Sequence, residues 1–173
     1  MTHILETARL TLRRMTTNDA PFVIELLNEP SYHQNIGDRG IRTLADAGKY
    51  ITEQFIGSYE KYGFGLYLVK LKNSSTPIGI AGLIKRDSLK NVDIGFAFLS
   101  QHHQKGFAVE SALGILDYAK NMIGLERVVG ITVPHNVASI KVLERIGMKF
   151  ERNITLPEIG HEDKFFSLDF ETN

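Results

Sequence analysis

Between Val92 and Gly124 the chain changes character twice within a few residues. Val92–Leu99 is an apolar run in which Ile94, Phe96 and Phe98 share one face, as a strand requires. Ser100–Gly106 is short and polar. Beyond it Ala108, Ala112, Ile115 or Leu116, Ala119, and Met122 or Ile123 recur at helical spacing, so 106–123 reads as an amphipathic helix closed by Gly124. A strand delivered through a tight glycine turn into such a helix commits this region to α/β structure. It also has an electrostatic consequence. Backbone N–H groups converge at the junction and the helix dipole adds positive potential, which makes a site for an anion such as a pyrophosphate.

The flanking sequence supplies the rest of a mixed sheet. Ala8–Arg13 alternates as a first strand. Thr16-Thr17-Asn18-Asp19 followed by Pro21 starts a helix, which Asn28-Glu29-Pro30 ends, and residues 31–42 read as a loop. Thr43 and Asp46 form a capping pair for a helix reaching about Tyr62. Strands at 64–72 and 78–85 flank a hairpin turn at 73–77, and Gly79 and Gly82 mark close packing or a bulge. The β-branched run 127–133 reads as a buried central strand. Asn136 starts a helix closed by Gly147, and 149–155 and 164–170 are late strands that pair. With 173 residues and no linker or repeat, a single domain over 1–173 is expected.

Composition narrows the classes of function. Twenty basic and twenty acidic residues give no net charge, so neither nucleic acid nor an acidic membrane is expected as a partner. The absence of cysteine removes disulfides, thiolate metal sites and a cysteine nucleophile. No apolar run is long enough to span a bilayer, and the first residues lack the pattern of a signal peptide, so a cytoplasmic location is expected. The six histidines show no metal-ligand spacing, and no metal is expected.

The order of elements, Gln104-Lys-Gly-Phe-Ala-Val-Glu110, and Asn136-Val-Ala-Ser139 running on to Gly147-Met-Lys-Phe150 together resemble the GNAT superfamily of acetyl-CoA-dependent N-acetyltransferases. The opening Leu5-Glu-Thr-Ala-Arg-Leu-Thr-Leu-Arg13, the run Asp93-Ile-Gly-Phe96 and Asn136-x-x-Ser139 resemble its ribosomal-protein N-terminal acetyltransferase branch. The resemblance covers essentially the whole chain. It implies a central, twisted, mostly antiparallel sheet with helices on both faces and one parallel strand pair, 92–99 and 127–133, that splays apart to admit the cofactor arm. The implied cosubstrate is acetyl-CoA, held at Gln104, Lys105, Gly106, Phe107, Ala108 and Val109, with Asn136, Ser139 and Lys141 nearby. Backbone N–H groups near Phe98 and Leu99 would polarise the thioester carbonyl. The chain departs from the family pattern at His103, where Gln or Arg is usual, and at Gln104, where an additional glycine is frequent.

For the chemistry, the resemblance points to Ser139 as the group that protonates the departing thiolate and to Asp93 as a general base, directly or through water. Leu143 stands where many relatives carry a tyrosine acid. Each assignment has a plain structural counterpart. Ser139 could make a local helix-start hydrogen bond, Asp93 could face solvent at a strand end, and Asn136 could simply cap its helix. Lys141 and Arg145, one turn apart, suit nucleotide phosphates or a solvated face. Tyr32, His33 and Asn35 lie in the segment expected to flank the acceptor. The acceptor is a primary amine, either a protein N-terminus or a small molecule such as a polyamine, amino acid or aminoglycoside. A non-catalytic acyl-CoA-binding module is the alternative from another class. A homodimer is the base-rate expectation.

Overall fold

The computed structural model describes residues 3–171, which form one eight-stranded sheet with helices. The strands are β1 (His3–Glu6), β2 (Leu10–Arg13), β3 (Leu66–Leu71), β4 (Pro77–Ile84), β5 (Val92–Phe98), β6 (Arg127–Thr132), β7 (Lys149–Thr155) and β8 (Glu162–Asp169), arranged β1-β2-β3-β4-β5-β6-β8-β7. Every neighbouring pair is antiparallel except β5 and β6. That parallel pair is in register only at Val92 with Val128 and Asp93 with Val129. Beyond Asp93 and Val129 the two strands part, and their C-terminal halves leave an opening in the sheet.

The helices are α1 (Ala20–Leu27), α2 (Pro30–Asn35), α3 (Leu44–Tyr50) continuing through a π-turn (Ile51–Ile56) into α4 (Gly57–Tyr62), α5 (Phe107–Tyr118) and α6 (Val137–Arg145). α5 runs on through a second π-turn to Ile123 and stops at Gly124, whose φ of +82° is the left-handed geometry glycine adopts at helix ends. Both capping pairs form. Asp19 accepts from Thr16 N–H at 2.8 Å, and Asp46 accepts from Thr43 N–H at 3.0 Å. None of the described helices is long and apolar enough to cross a membrane.

Sheet register sorts the middle strands into two faces. Tyr67, Ala81 and Phe96 align on one, and Leu68, Ile80 and Ala97 on the other. Tyr67 packs edge-on against Tyr118 of α5, which places that helix on the first face. Tyr67 and Leu68 are both 0% exposed, so both faces are covered. Gly79 and Gly82 do permit close approach. A Cβ at Gly79 would collide with the Phe98 ring, and one at Gly82 with the backbone of Gly65 and Leu66.

One element corrects the sequence expectation. Residues 31–42, expected as a loop, contain α2. Pro30 ends α1 because it cannot donate within a helix, but its fixed φ also suits the first position of the next one. The same residue therefore stops one helix and starts another.

Candidate active site

Two helix N-termini stand at the mouth of the splay, because α5 follows β5 and α6 follows β6. Crevices outside the carboxyl ends of diverging parallel strands are the usual ligand sites of α/β sheets. α2 straps across this mouth. At one end Ser100, just past β5, donates from Oγ to Glu29 at 2.5 Å; at the other, His135 Nε2–H, just past β6, donates to Gln34 O at 3.3 Å.

The turn into α5 has the backbone of an anion cradle. Gln104 has φ +59° and Gly106 φ +82°, so left-handed residues alternate along it. Such alternation turns successive N–H groups to one side. The amides of Phe107, Ala108 and Val109 follow in the first turn of α5, where helical geometry offers them no intrahelical acceptor. Gln104, Lys105 and Gly106 are exposed.

This turn is tethered from three directions. His103 Nε2–H donates to Phe98 O at 2.8 Å, fixing the turn to the end of β5. Arg9 Nη1 donates to Lys105 O at 3.0 Å, and its guanidinium stacks 4.4 Å from the Phe107 ring centre. Glu110 then holds Arg9, accepting from its Nε at 2.7 Å and its backbone N–H at 2.8 Å, and accepts from Thr7 Oγ1 at 2.6 Å. Burial pushes the Glu110 carboxyl up, but these three donors together hold it below the ordinary carboxylate value. Arg9 and Glu110 were not singled out from sequence. The signal for them is only indirect, since they lie 101 residues apart and meet through the β1–β2 hairpin.

Of the two strand-end amides expected at the thioester, the structure separates the roles. Leu99 N–H donates to Ile78 O at 2.9 Å and is already used within the sheet, which corrects its expected role. Phe98, one residue earlier, alternates to the opposite edge. Its carbonyl accepts from His103, and its N–H faces the opening between β5 and β6.

Asp93 is not the solvated strand-end carboxylate that one expectation allowed. It is 1% exposed, at the point where β5 and β6 part, with Oδ2 accepting from Arg86 Nε at 3.0 Å. Its Oδ1 is buried without a hydrogen-bond partner. Burial pushes the carboxyl up to about 6 despite the Arg86 guanidinium, and nearby Asp163 pushes the same way.

At the start of α6, Asn136 Oδ1 accepts from Ser139 N–H at 3.2 Å, so Asn136 does cap the helix. The cap uses the backbone of Ser139 and leaves its partly exposed hydroxyl to other work. Lys141 and Arg145 are exposed on the outer side of α6. Leu143 is 1% exposed and packs over Gly130, so the inner face of α6 carries no acid there.

A cavity of about 310 Å³ lies beneath the strap formed by α2. His33, Asn35, Val133, His135, His161 and Glu162 contribute to its wall. His33 and Asn35 thus stand where the acceptor was expected, whereas Tyr32 is 7% exposed and turns into the core. Asp93 does not line this cavity.

Comparison with known proteins follows this geometry. Residues 9–149 match the acetyltransferase (GNAT) domain family. An uncharacterized N-acetyltransferase of Bacillus subtilis, YnaD, is 27% identical over 147 residues, covering 85% of this chain and 83% of its own. The fold is shared with RimL, a ribosomal L7/L12 alpha-N-protein acetyltransferase solved with coenzyme A, at TM-score 0.82 and 17% identity over 97% of this chain and 98% of that one. It is also shared with a chimeric spermidine N-acetyltransferase, SpeG, from Vibrio cholerae, at TM-score 0.75 and 17% identity over 94% and 96%.

Proposed function

The chain belongs to the GNAT acetyltransferase family, and from that premise we propose that it transfers an acetyl group from acetyl-CoA to a primary amine by direct attack within a ternary complex. One observation carries this reading. The opening between β5 and β6 has an anion cradle at one approach and a cavity at the other, with Phe98 N–H facing the space between them. A pyrophosphate on Gln104–Val109 directs the thioester arm along that opening, and an amine entering under α2 meets it there. Phe98 N–H then polarises the thioester carbonyl as charge develops on its oxygen. Lys141 lies at the start of α6, suited to the nucleotide phosphates.

Ser139 supplies the proton to the departing thiolate, because Asn136 satisfies the cap without its hydroxyl. Asp93 acts from beneath. Paired with Arg86, it holds the diverging point of the strands and touches neither the cavity nor the amine. The cavity is at the small end of ligand sites, which favours a compact amine or the terminal residue of a peptide. A terminal α-amino group, with a pKa of about 7.7–8.0, needs less deprotonation at neutral pH than a lysine.

The test is release of free thiol from acetyl-CoA across a panel of peptide N-termini, polyamines and amino acids. Intersecting initial-velocity lines are expected for the accepted amine. Tight CoA binding with no release for any amine would leave only the non-catalytic module.

A further inference from the structure

Three imidazoles line the cavity, and they are not equivalent. His135 spends its Nε2–H on Gln34 O, so it serves as a strut between β6 and α2. The Nε2 of His33 is buried without a partner, 3.7 Å from Asp38. His161 differs from both. Its side chain is 53% exposed on the cavity wall, and its Nδ1 stands 3.2 Å from Oδ1 of Asp163.

Asp163 is itself 3% exposed, and that same Oδ1 is a buried oxygen with no other hydrogen-bond partner among the described residues. A buried carboxylate oxygen requires a donor. A small turn of the half-exposed His161 ring aligns its Nδ1–H with Oδ1. The carboxylate thereby selects the tautomer in which Nε2 carries the lone pair, leaving that nitrogen for the cavity. β8 explains the arrangement. Successive residues point to opposite sides, so Asp163 enters the sheet interior while His161, two residues earlier in the turn, is at the rim.

The geometry points to His161, oriented by Asp163, as the general base for the acceptor amine, an inference that rests on the transferase reading above. His161 Nε2 takes one proton from the entering ammonium. The freed nitrogen lone pair forms the C–N bond at the thioester carbonyl carbon as the C–S bond breaks. The second proton lost by the nitrogen goes to the thiolate through Ser139, giving free CoA thiol. The imidazolium then returns its proton to solvent through its exposed edge. Asp163 is a positioning residue, since it touches no reacting atom. The charged or titratable groups around His161 are Glu162, His33 and His135 across the cavity, Asp38 beside His33, and Asp163, Arg86 and Asp93 behind it.

The test compares His161→Gln and Asp163→Asn with the unaltered protein, using the best amine from the panel and reading kcat/KM against pH. Removing a general base costs about 10²–10⁴-fold. His161→Gln is expected to fall in that range and to lose the acid limb of the profile, with CoA affinity unchanged. Asp163→Asn is expected to fall less, with that limb displaced rather than lost. Added imidazole is expected to restore part of the rate in His161→Gly. A His161→Gln variant within threefold of the original, with the same pH profile, overturns the inference and leaves the transferase reading intact. Absence of turnover in the unaltered protein overturns the transferase reading, and with it this one.

Discussion

Gly106 offers a direct measure of how far cosubstrate binding depends on backbone shape. It caps α5 at φ +82°, and a Cβ there meets only the flexible end of Arg9, at 3.3 Å. The penalty of Gly106→Ala is therefore one of conformation, not of collision. A left-handed residue with a side chain costs about 1–2 kcal/mol. In a domain of this size that lowers Tm by roughly 2–8 °C. The unliganded turn escapes the strain by relaxing, which reorients the amides of Phe107 and Ala108. Binding must then restore the strained form, so CoA affinity falls about 5–30-fold. Gly124→Ala is the control. It has the same φ of +82° at the other end of the same helical run, with nothing within 4 Å of the added Cβ. Thermal melting and calorimetric titration with CoA are run on both variants. Equal loss of Tm with CoA affinity lost only in Gly106→Ala is expected. Equal CoA affinities in the two variants would refute the backbone-cradle reasoning.

Three further outcomes follow from burial and charge. The Asp93 carboxyl is pushed up to about 6 from an ordinary value of 3.8, so the native state holds its proton more tightly than the unfolded chain; stability therefore declines as pH rises from about 4 to about 6 and flattens above it. The difference between the unaltered protein and Asp93→Asn, from urea unfolding at stepped pH, is expected to carry this slope, on the order of 3 kcal/mol in all, and a flat difference would contradict the assignment. Arg13 grips Asp19 through two bonds of 2.8 and 2.9 Å with both side chains 8% exposed, so Asp19→Asn is expected to cost about 3–5 kcal/mol in urea unfolding, much of it recovered in Arg13→Met/Asp19→Leu. Asn136→Ala is expected to lose about 1 kcal/mol of stability with the cap, whereas Ser139→Ala leaves stability nearly unchanged and lowers kcat, a split that a purely structural Ser139 would not produce.

The sequence carried the elements whose causes are local. The strand periods, the Thr43–Asp46 cap, and the terminating glycines 124 and 147 depend on neighbours a few residues away. The turn at Gln104–Gly106 was legible for the same reason. What escaped depends on distant pairing. α2 was hidden because Pro30 satisfies the rules for both an ending and a beginning. The Arg9–Glu110 tether joins the first hairpin to α5. The fate of Leu99 N–H depends on register against Ile78, and a motif cannot convey the phase of a ladder. Asp93 and Asp163 illustrate the same limit. Each reads as a polar strand residue, yet the β8–β6–β5 arrangement buries both around Arg86. His161 stood in no motif at all, and only the meeting of α2, the end of β6 and the turn before β8 gives it a cavity to face.

The two departures from the family pattern, His103 and Gln104, are linked by the structure. Gln104 at φ +59° holds a conformation that costs a side-chain-bearing residue about 1–2 kcal/mol. It persists because the surrounding turn is fixed by His103 on Phe98 O and by Arg9 on Lys105 O. Replacing Gln104 by glycine relieves that strain but adds freedom to the unfolded chain, worth about 0.4–1 kcal/mol in the opposite sense. The terms nearly cancel, so Gln104→Gly alone is expected to change Tm little and CoA affinity less than twofold. His103→Ala removes a tether and leaves the strained turn free to relax, weakening CoA about tenfold. In the double variant, strain is absent but so is the restraint, and the flexible glycine turn must be ordered on binding. The coupling measured by a double-mutant cycle on CoA affinity is therefore expected to be nonzero. Strictly additive effects, or unchanged affinity in His103→Ala, would show that the Phe98–His103 bond does not set the shape of the cradle.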